Sequence, residues 1–131
     1  NYDMPEFIKT MKLAGDKMAI LSGEEPLFAT HVTLGAKGGV LASANVYPKI
    51  WIEIFNLARN GKLHEALNLQ KQLDNAIDAI FRETNPGPLE KYMEMAGHPV
   101  GGVRLPLEDP SEVTINALKS AFDVASLANV A

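Results

Sequence analysis

The chain has no cysteine, which excludes disulfide staples, thiolate nucleophiles and cysteine-based metal sites. It has no apolar run near the ~18 residues a membrane helix needs, and its start, NYDMPEFIKTMK, lacks the apolar segment of a secretory signal. Basic residues are also few. There are 12 against 16 acidic ones, a formal charge of -4, and no Lys/Arg cluster is interleaved with aromatics to follow a phosphate backbone. No nucleic-acid partner and no membrane are expected, and the expected location is cytoplasmic. The first residue is Asn1 rather than methionine, so we expect either processing or a start inside a longer protein.

What is present suits a folded domain. The 47% apolar content of 131 residues supplies a sizeable core for one domain or for part of a larger one. Asp3 with Glu6 makes a capping box around Pro5, which predicts a helix over Met4 to Ala14 that buries Phe7, Ile8 and Met11. The run Met18 to Leu21 predicts a buried strand, and Pro26 to Leu34 a helix. In the stretch GAKGGVLASANVYP, Val40 to Ala42 sit between turn residues, which predicts a second strand. Pro48 opens a helix to about Asn60 with Ile50, Trp51, Ile54, Phe55 and Ala58 on one face. A longer helix is predicted over Leu63 to Arg82, a short one over Leu89 to Ala96, and a last one from the Asp109, Pro110, Glu112 cap to about Ala128.

Strands alternating with helices predict a parallel sheet in an α/β fold. Two parallel strands alone would leave two open edges, so the chain is expected to be the tail of a larger domain. Ligands in such folds collect at the carboxyl ends of the strands, which directs attention to the Ser43 to Tyr47 segment.

Four segments, LSGEEPL (Leu21 to Leu27), LGAKGGVLASANVYP (Leu34 to Pro48), NPGPLEKYMEMAG (Asn85 to Gly97) and VRLPLEDP (Val103 to Pro110), together resemble the dihydrodipicolinate synthase and N-acetylneuraminate lyase family. The likeness covers essentially the whole chain. It implies the carboxyl-terminal part of a (β/α)8 TIM barrel plus a helical extension. Met18 to Leu21 would be strand seven, Gly39 to Ser43 strand eight, residues 1–61 the partial barrel and residues 62–131 the extension. It implies class I lyase or aldolase chemistry through a lysine Schiff base with pyruvate or another 2-keto acid. The implied lysine and proton-relay tyrosine lie upstream, so no catalytic residue falls in this chain, and the partner is the amino-terminal barrel segment. The resemblance further implies a homo-oligomer and no cofactor.

By the same resemblance, Gly23 falls where the backbone approaches the keto acid, Val40 where a strand-eight residue lines its pocket, and Glu24 at the mouth; with Ser43, at the end of the second strand, these are the expected substrate-binding residues. Glu25 and Pro26 stand where the sialate lyases carry Asp and Glu. The segments resemble the synthase branch more, and 2-keto-3-deoxy sugar acid aldolases share the frame. Each residue also has a plainer explanation. Gly23 could simply end a strand, and of Glu24 and Glu25 one is expected to cap the helix while the other stands at the mouth. Lys37 precedes the strand, on the face of a barrel that serves stability, and is expected to be solvated. His31, His64 and His98 are expected at the surface, with no metal. GAKGG matches neither phosphate-loop spacing. Two further readings are a free-standing helical interaction module derived from the barrel, and a barrel enzyme of another family that holds phosphate on the amides of Ser43 to Tyr47.

Overall fold

The computed structural model describes residues 3–127, with side chains through Phe122. Its first helix, α1 (Met4–Ala14), begins as its sequence predicts: the Asp3 carboxylate accepts from the Glu6 N–H at 3.0 Å, with Pro5 in the first turn. The predicted burial does not follow. No residue of α1 is buried, and Ile8 is 52% exposed.

Strands β1 (Leu21–Ser22) and β2 (Gly38–Gly39) pair in parallel, Leu21 opposite Gly38 and Ser22 opposite Gly39. Bonds from the Lys37 N–H to the Ile20 carbonyl and from the Val40 N–H to the Ser22 carbonyl extend the ladder at both ends. Both strands lie away from their predicted positions. Leu21, the last residue of the predicted first strand, is the first of β1, and the predicted Gly39–Ser43 strand gives way to a 3-10 turn over Ala42–Asn45. Four-residue apolar runs carry no periodicity that separates a strand from the turn following it.

Side chains alternate across this small sheet. Ser22 and Leu41 turn toward the helices and are buried, while Leu21 and Val40 turn the other way and are 52% and 73% exposed. Gly39 is required by packing, because a Cβ there would stand 2.7 Å from a ring carbon of Phe28.

A 3-10 turn (Glu25–Leu27) leads from β1 into α2 (Phe28–Thr33), shorter than the predicted helix at both ends. The α3 helix (Pro48–Arg59) follows its prediction closely. It buries Ile50, Trp51, Ile54 and Ala58, and Gly61, at φ +78°, turns the chain out of it. Phe55 is half-buried, with the Arg59 guanidinium 5.9 Å from its ring centroid.

The single helix predicted over Leu63 to Arg82 is two, α4 (Leu63–Gln70) and α5 (Asp74–Ile80), joined by a 3-10 turn at Lys71–Leu73. Three residues at 3.0 per turn instead of 3.6 rotate the following face by about 60°. That rotation accompanies burial of Leu73, Ala76, Ile77 and Ile80, whereas Leu67 and Phe81 are 39% and 49% exposed.

Helices α6 (Gly87–Met95) and α7 (Glu112–Leu127) complete the chain. The cap of α7 lies two residues later than its sequence predicts. Ser111 holds that position, its Oγ accepting from the Thr114 N–H at 3.4 Å, and the Glu83 carboxylate accepts from the Ser111 N–H and from the Ser111 and Thr114 hydroxyls. The predicted end of this helix, Ala128, lies outside the described residues. One continuous apolar cluster runs from Phe28 through Trp51, Ile54, Leu73 and Tyr92 to Ala121.

Candidate functional site

The carboxyl ends of β1 and β2 carry the residues singled out from the sequence. One position beyond the paired residues stand Gly23 and Val40, both exposed and side by side by the register of the sheet. Among the described residues nothing packs against Gly23 so as to require glycine, since a Cβ added there meets nothing within 4 Å and its φ is not in the left-handed region.

Glu24 is half-buried at the start of the 3-10 turn, and neither it nor Glu25 caps that turn through its side chain. The expected capping role is therefore corrected. Glu25 turns inward instead and is 2% exposed. Its Oε1 accepts from the Ser43 N–H at 2.8 Å and its Oε2 from the Ser43 hydroxyl at 2.7 Å. The Trp51 indole N–H in turn donates to Ser43 Oγ at 2.9 Å. Ser43 is fully buried and its hydroxyl is engaged both as donor and as acceptor. A carboxylate on the loop after β1 thus ties down the turn after β2.

A second buried pair lies behind β1. Ser22 Oγ and His31 Nδ1 are 2.8 Å apart, and the imidazole stacks on Phe7 with ring centroids 3.8 Å apart. His31 is 2% exposed, which corrects its expected surface position, while His64 and His98 are exposed. Burial holds the His31 pKa below its ordinary 6.5 and favours the neutral ring. A hollow of about 240 Å³ opens beside this pair and is bordered by Gly23 and Glu24.

The remaining candidates sort by position. Lys37 is exposed at the opposite end of the ladder from Gly23 and Val40. The amides of Ser43, Ala44, Val46 and Tyr47 all donate within the protein, so they form no open phosphate cradle. Tyr47 and Tyr92 share a hydrogen bond between their hydroxyls. Burial pushes both phenols up, with the Tyr47 bond adding to the rise at Tyr92, so both stay neutral. Among the described residues, no three His, Asp or Glu side chains gather as a metal site would require, and no helix is long and apolar enough to cross a membrane.

Three features of this site escape sequence reading: the inward turn of Glu25, the burial of His31 and the role of Gln70. The Gln70 side chain accepts from the Ala29 N–H at 3.0 Å and donates to the Pro26 carbonyl at 2.8 Å, fixing the start of α2 from α4. Glutamine within a helical pattern ordinarily signals a solvated face, and nothing local marks this one as buried.

Two strands followed on the same side by helices, with their other face bare, define the last strand and helix units of a parallel barrel with a helical extension. Residues 2–125 match the dihydrodipicolinate synthetase family, and the chain belongs to that family. It is 36% identical over 118 residues to the 4-hydroxy-tetrahydrodipicolinate synthase of Clostridium novyi (strain NT), covering 90% of this chain and 40% of that protein. Against the enzyme of the same name from Methanospirillum hungatei JF-1 it is 33% identical, covering 92% of this chain and 42% of that one. Among solved structures, dihydrodipicolinate synthase from Aquifex aeolicus superposes with a TM-score of 0.91 at 28% identity, over 97% of this chain and 43% of that one. The chloride-inhibited synthase from Acinetobacter baumannii complexed with pyruvate gives 0.89, also at 28% identity, over 95% of this chain and 43% of that one. The chain spans about two-fifths of the length of the curated relatives it matches, as their carboxyl-terminal portion.

Proposed function

We propose that this chain is the carboxyl-terminal part of a pyruvate-dependent class I synthase or lyase, and that it supplies one wall of a site whose Schiff-base lysine lies on the preceding barrel segment. The supporting observation is the pair Gly23 and Val40. A glycine that no contact among the described residues requires and a valine 73% exposed stand together at the carboxyl ends of the strands, on the face the helices leave bare. In a barrel that face is the interior, and chemistry sits at its carboxyl end. The proposed roles are backbone approach to the keto acid at Gly23, an apolar wall at Val40 and a mouth position at Glu24. For Ser43 the proposed role is support from behind, because its hydroxyl is engaged by Glu25 and Trp51. The division into residues 1–61 as barrel and 62–131 as extension belongs to the same proposal, as do a cytoplasmic location and assembly as a homo-oligomer.

The test is borohydride reduction of the polypeptide carrying both segments in the presence of pyruvate, followed by peptide mass mapping. The expected adduct lies on a lysine upstream of Asn1. An adduct on Lys37 or any other lysine of this chain would overturn the assignment.

A further inference from the structure

We infer that Glu25 is a positioning residue, which fixes the Gly23 wall of the site against the Val40 wall. The inference rests on the proposed function and adds a role for a side chain that does not touch the ligand in that reading. Glu25 leaves the loop two residues after Gly23, and Ser43 stands three residues after Val40. These loops follow strands that share only a short ladder, so the ladder alone constrains their tips weakly.

The Glu25 carboxylate closes that gap with two bonds to one residue, the Ser43 N–H at 2.8 Å and the Ser43 O–H at 2.7 Å. Both groups are withdrawn from water, Glu25 at 2% and Ser43 at 0% exposure, where a hydrogen bond is electrostatically stronger than at the surface. Trp51, 4% exposed and itself edge-on to Phe28 with ring centroids 5.3 Å apart, donates to Ser43 Oγ and anchors the bridge to α3. The chain of contacts therefore runs from the Gly23 loop through Glu25 and Ser43 into the core.

Glutamine at position 25 keeps an acceptor for the Ser43 N–H but presents N–H groups to a hydroxyl that already accepts from Trp51. The hydroxyl proton is then left without its acceptor. The loop is released while the core stays packed.

The experiment measures steady-state kinetics of Glu25→Gln, Ser43→Ala and Ser43→Thr in the polypeptide carrying both segments, beside borohydride trapping of pyruvate on the unmodified protein. The expected result is a KM for pyruvate raised about tenfold in Glu25→Gln with kcat changed less than threefold. Ser43→Ala should raise KM in the same direction, and Ser43→Thr, which retains the hydroxyl, should lie closer to the unmodified protein. Ser43→Ala retains the backbone bond to Glu25 and keeps the test available where Glu25→Gln does not fold. A lowered melting temperature with KM unmoved in the folded variants would overturn the positioning role alone. Failure of the unmodified protein to trap pyruvate would overturn the functional reading and this inference with it.

Discussion

The two halves of the chain contain similar proportions of apolar residues yet dispose of them differently. In the extension, Leu73, Ile80, Tyr92 and Leu118 are fully buried within the described residues. In the barrel units, α1 buries nothing, and Ile8, Leu13, Met18, Leu21 and Val40 are all more than half exposed. The extension also leaves Val100, Leu105 and Val113 more than half exposed, but these stand in a loop and at a helix start. The five of the barrel units lie on α1, on the segment into β1 and on the face of the sheet that the helices leave bare, where the rest of a barrel would cover them. The extension, with α2 and α3, is the packed body, and the small sheet is an interior face waiting for the rest of its barrel.

Substitution in the polypeptide carrying both segments tests this contrast. Leu73→Ala, at a fully buried site, should lower the unfolding free energy in urea by about 2–5 kcal/mol. Leu21→Ala is the decisive partner. Exposed as it stands here, it would change stability by about 0.5 kcal/mol or less, but covered by the upstream strands it should lose about 2 kcal/mol or more. A small effect at Leu21 in the complete polypeptide would mean that this face is not a barrel interior, and the comparison between the halves would fail.

The seam between the halves can be probed through Tyr47 and Tyr92, whose hydroxyls meet inside the core. Removing either hydroxyl leaves the other buried and unpaired, so Tyr47→Phe and Tyr92→Phe should each cost about 1–3 kcal/mol, with the double variant far from additive. Additive losses in urea unfolding would show that the two rings contribute independently.

The start of α7 should show a smaller effect, confined to the extension. Ser111→Ala removes the cap and should cost about 1 kcal/mol. Hydrogen bonds from Ser111 and Thr114 hold the Glu83 pKa below its ordinary 4.5. The folded state therefore binds its proton less readily than the unfolded one. The stabilisation is present above pH 4.5 and is lost as the pH falls through the folded value. Glu83→Gln should flatten that acid slope in circular dichroism.

How much of this was legible follows from where the information resides. The bounds of α1 and α3 are written locally, in Asp3, Pro5 and Gly15 and in Pro48 and Gly61, and the structure agrees with them. The family and the barrel position were legible because four separated segments carry them. The strands were misplaced because a short apolar run reports burial without conformation, and nothing local marks the break at Lys71–Leu73, which follows directly on Gln70 and its bonds to Pro26 and Ala29 across 44 and 41 residues. The Glu25 to Ser43 bridge spans 18 residues, and the sequence showed only a pair of adjacent acids. The bareness of α1 could not be read from an amphipathic pattern, since the pattern marks a face fit for burial and says nothing about which segment covers it.

His31 offers the smallest effect and the finest test of how the barrel half is packed. Its ring is neutral in the fold because burial against Phe7 and Ser22 disfavours the charge, and Nε2 is buried without a hydrogen-bond partner among the described residues. A histidine whose folded pKa is depressed contributes fully above its unfolded value, and that contribution declines as the pH falls below 6.5 toward the folded value, because the unfolded chain takes up the proton first. Stability of the complete polypeptide should therefore fall between pH 7 and pH 5 by more than it does in His31→Phe, which keeps the ring stack and removes the titrating group. If the two proteins show the same slope over that range, burial does not hold the His31 ring neutral in the complete polypeptide.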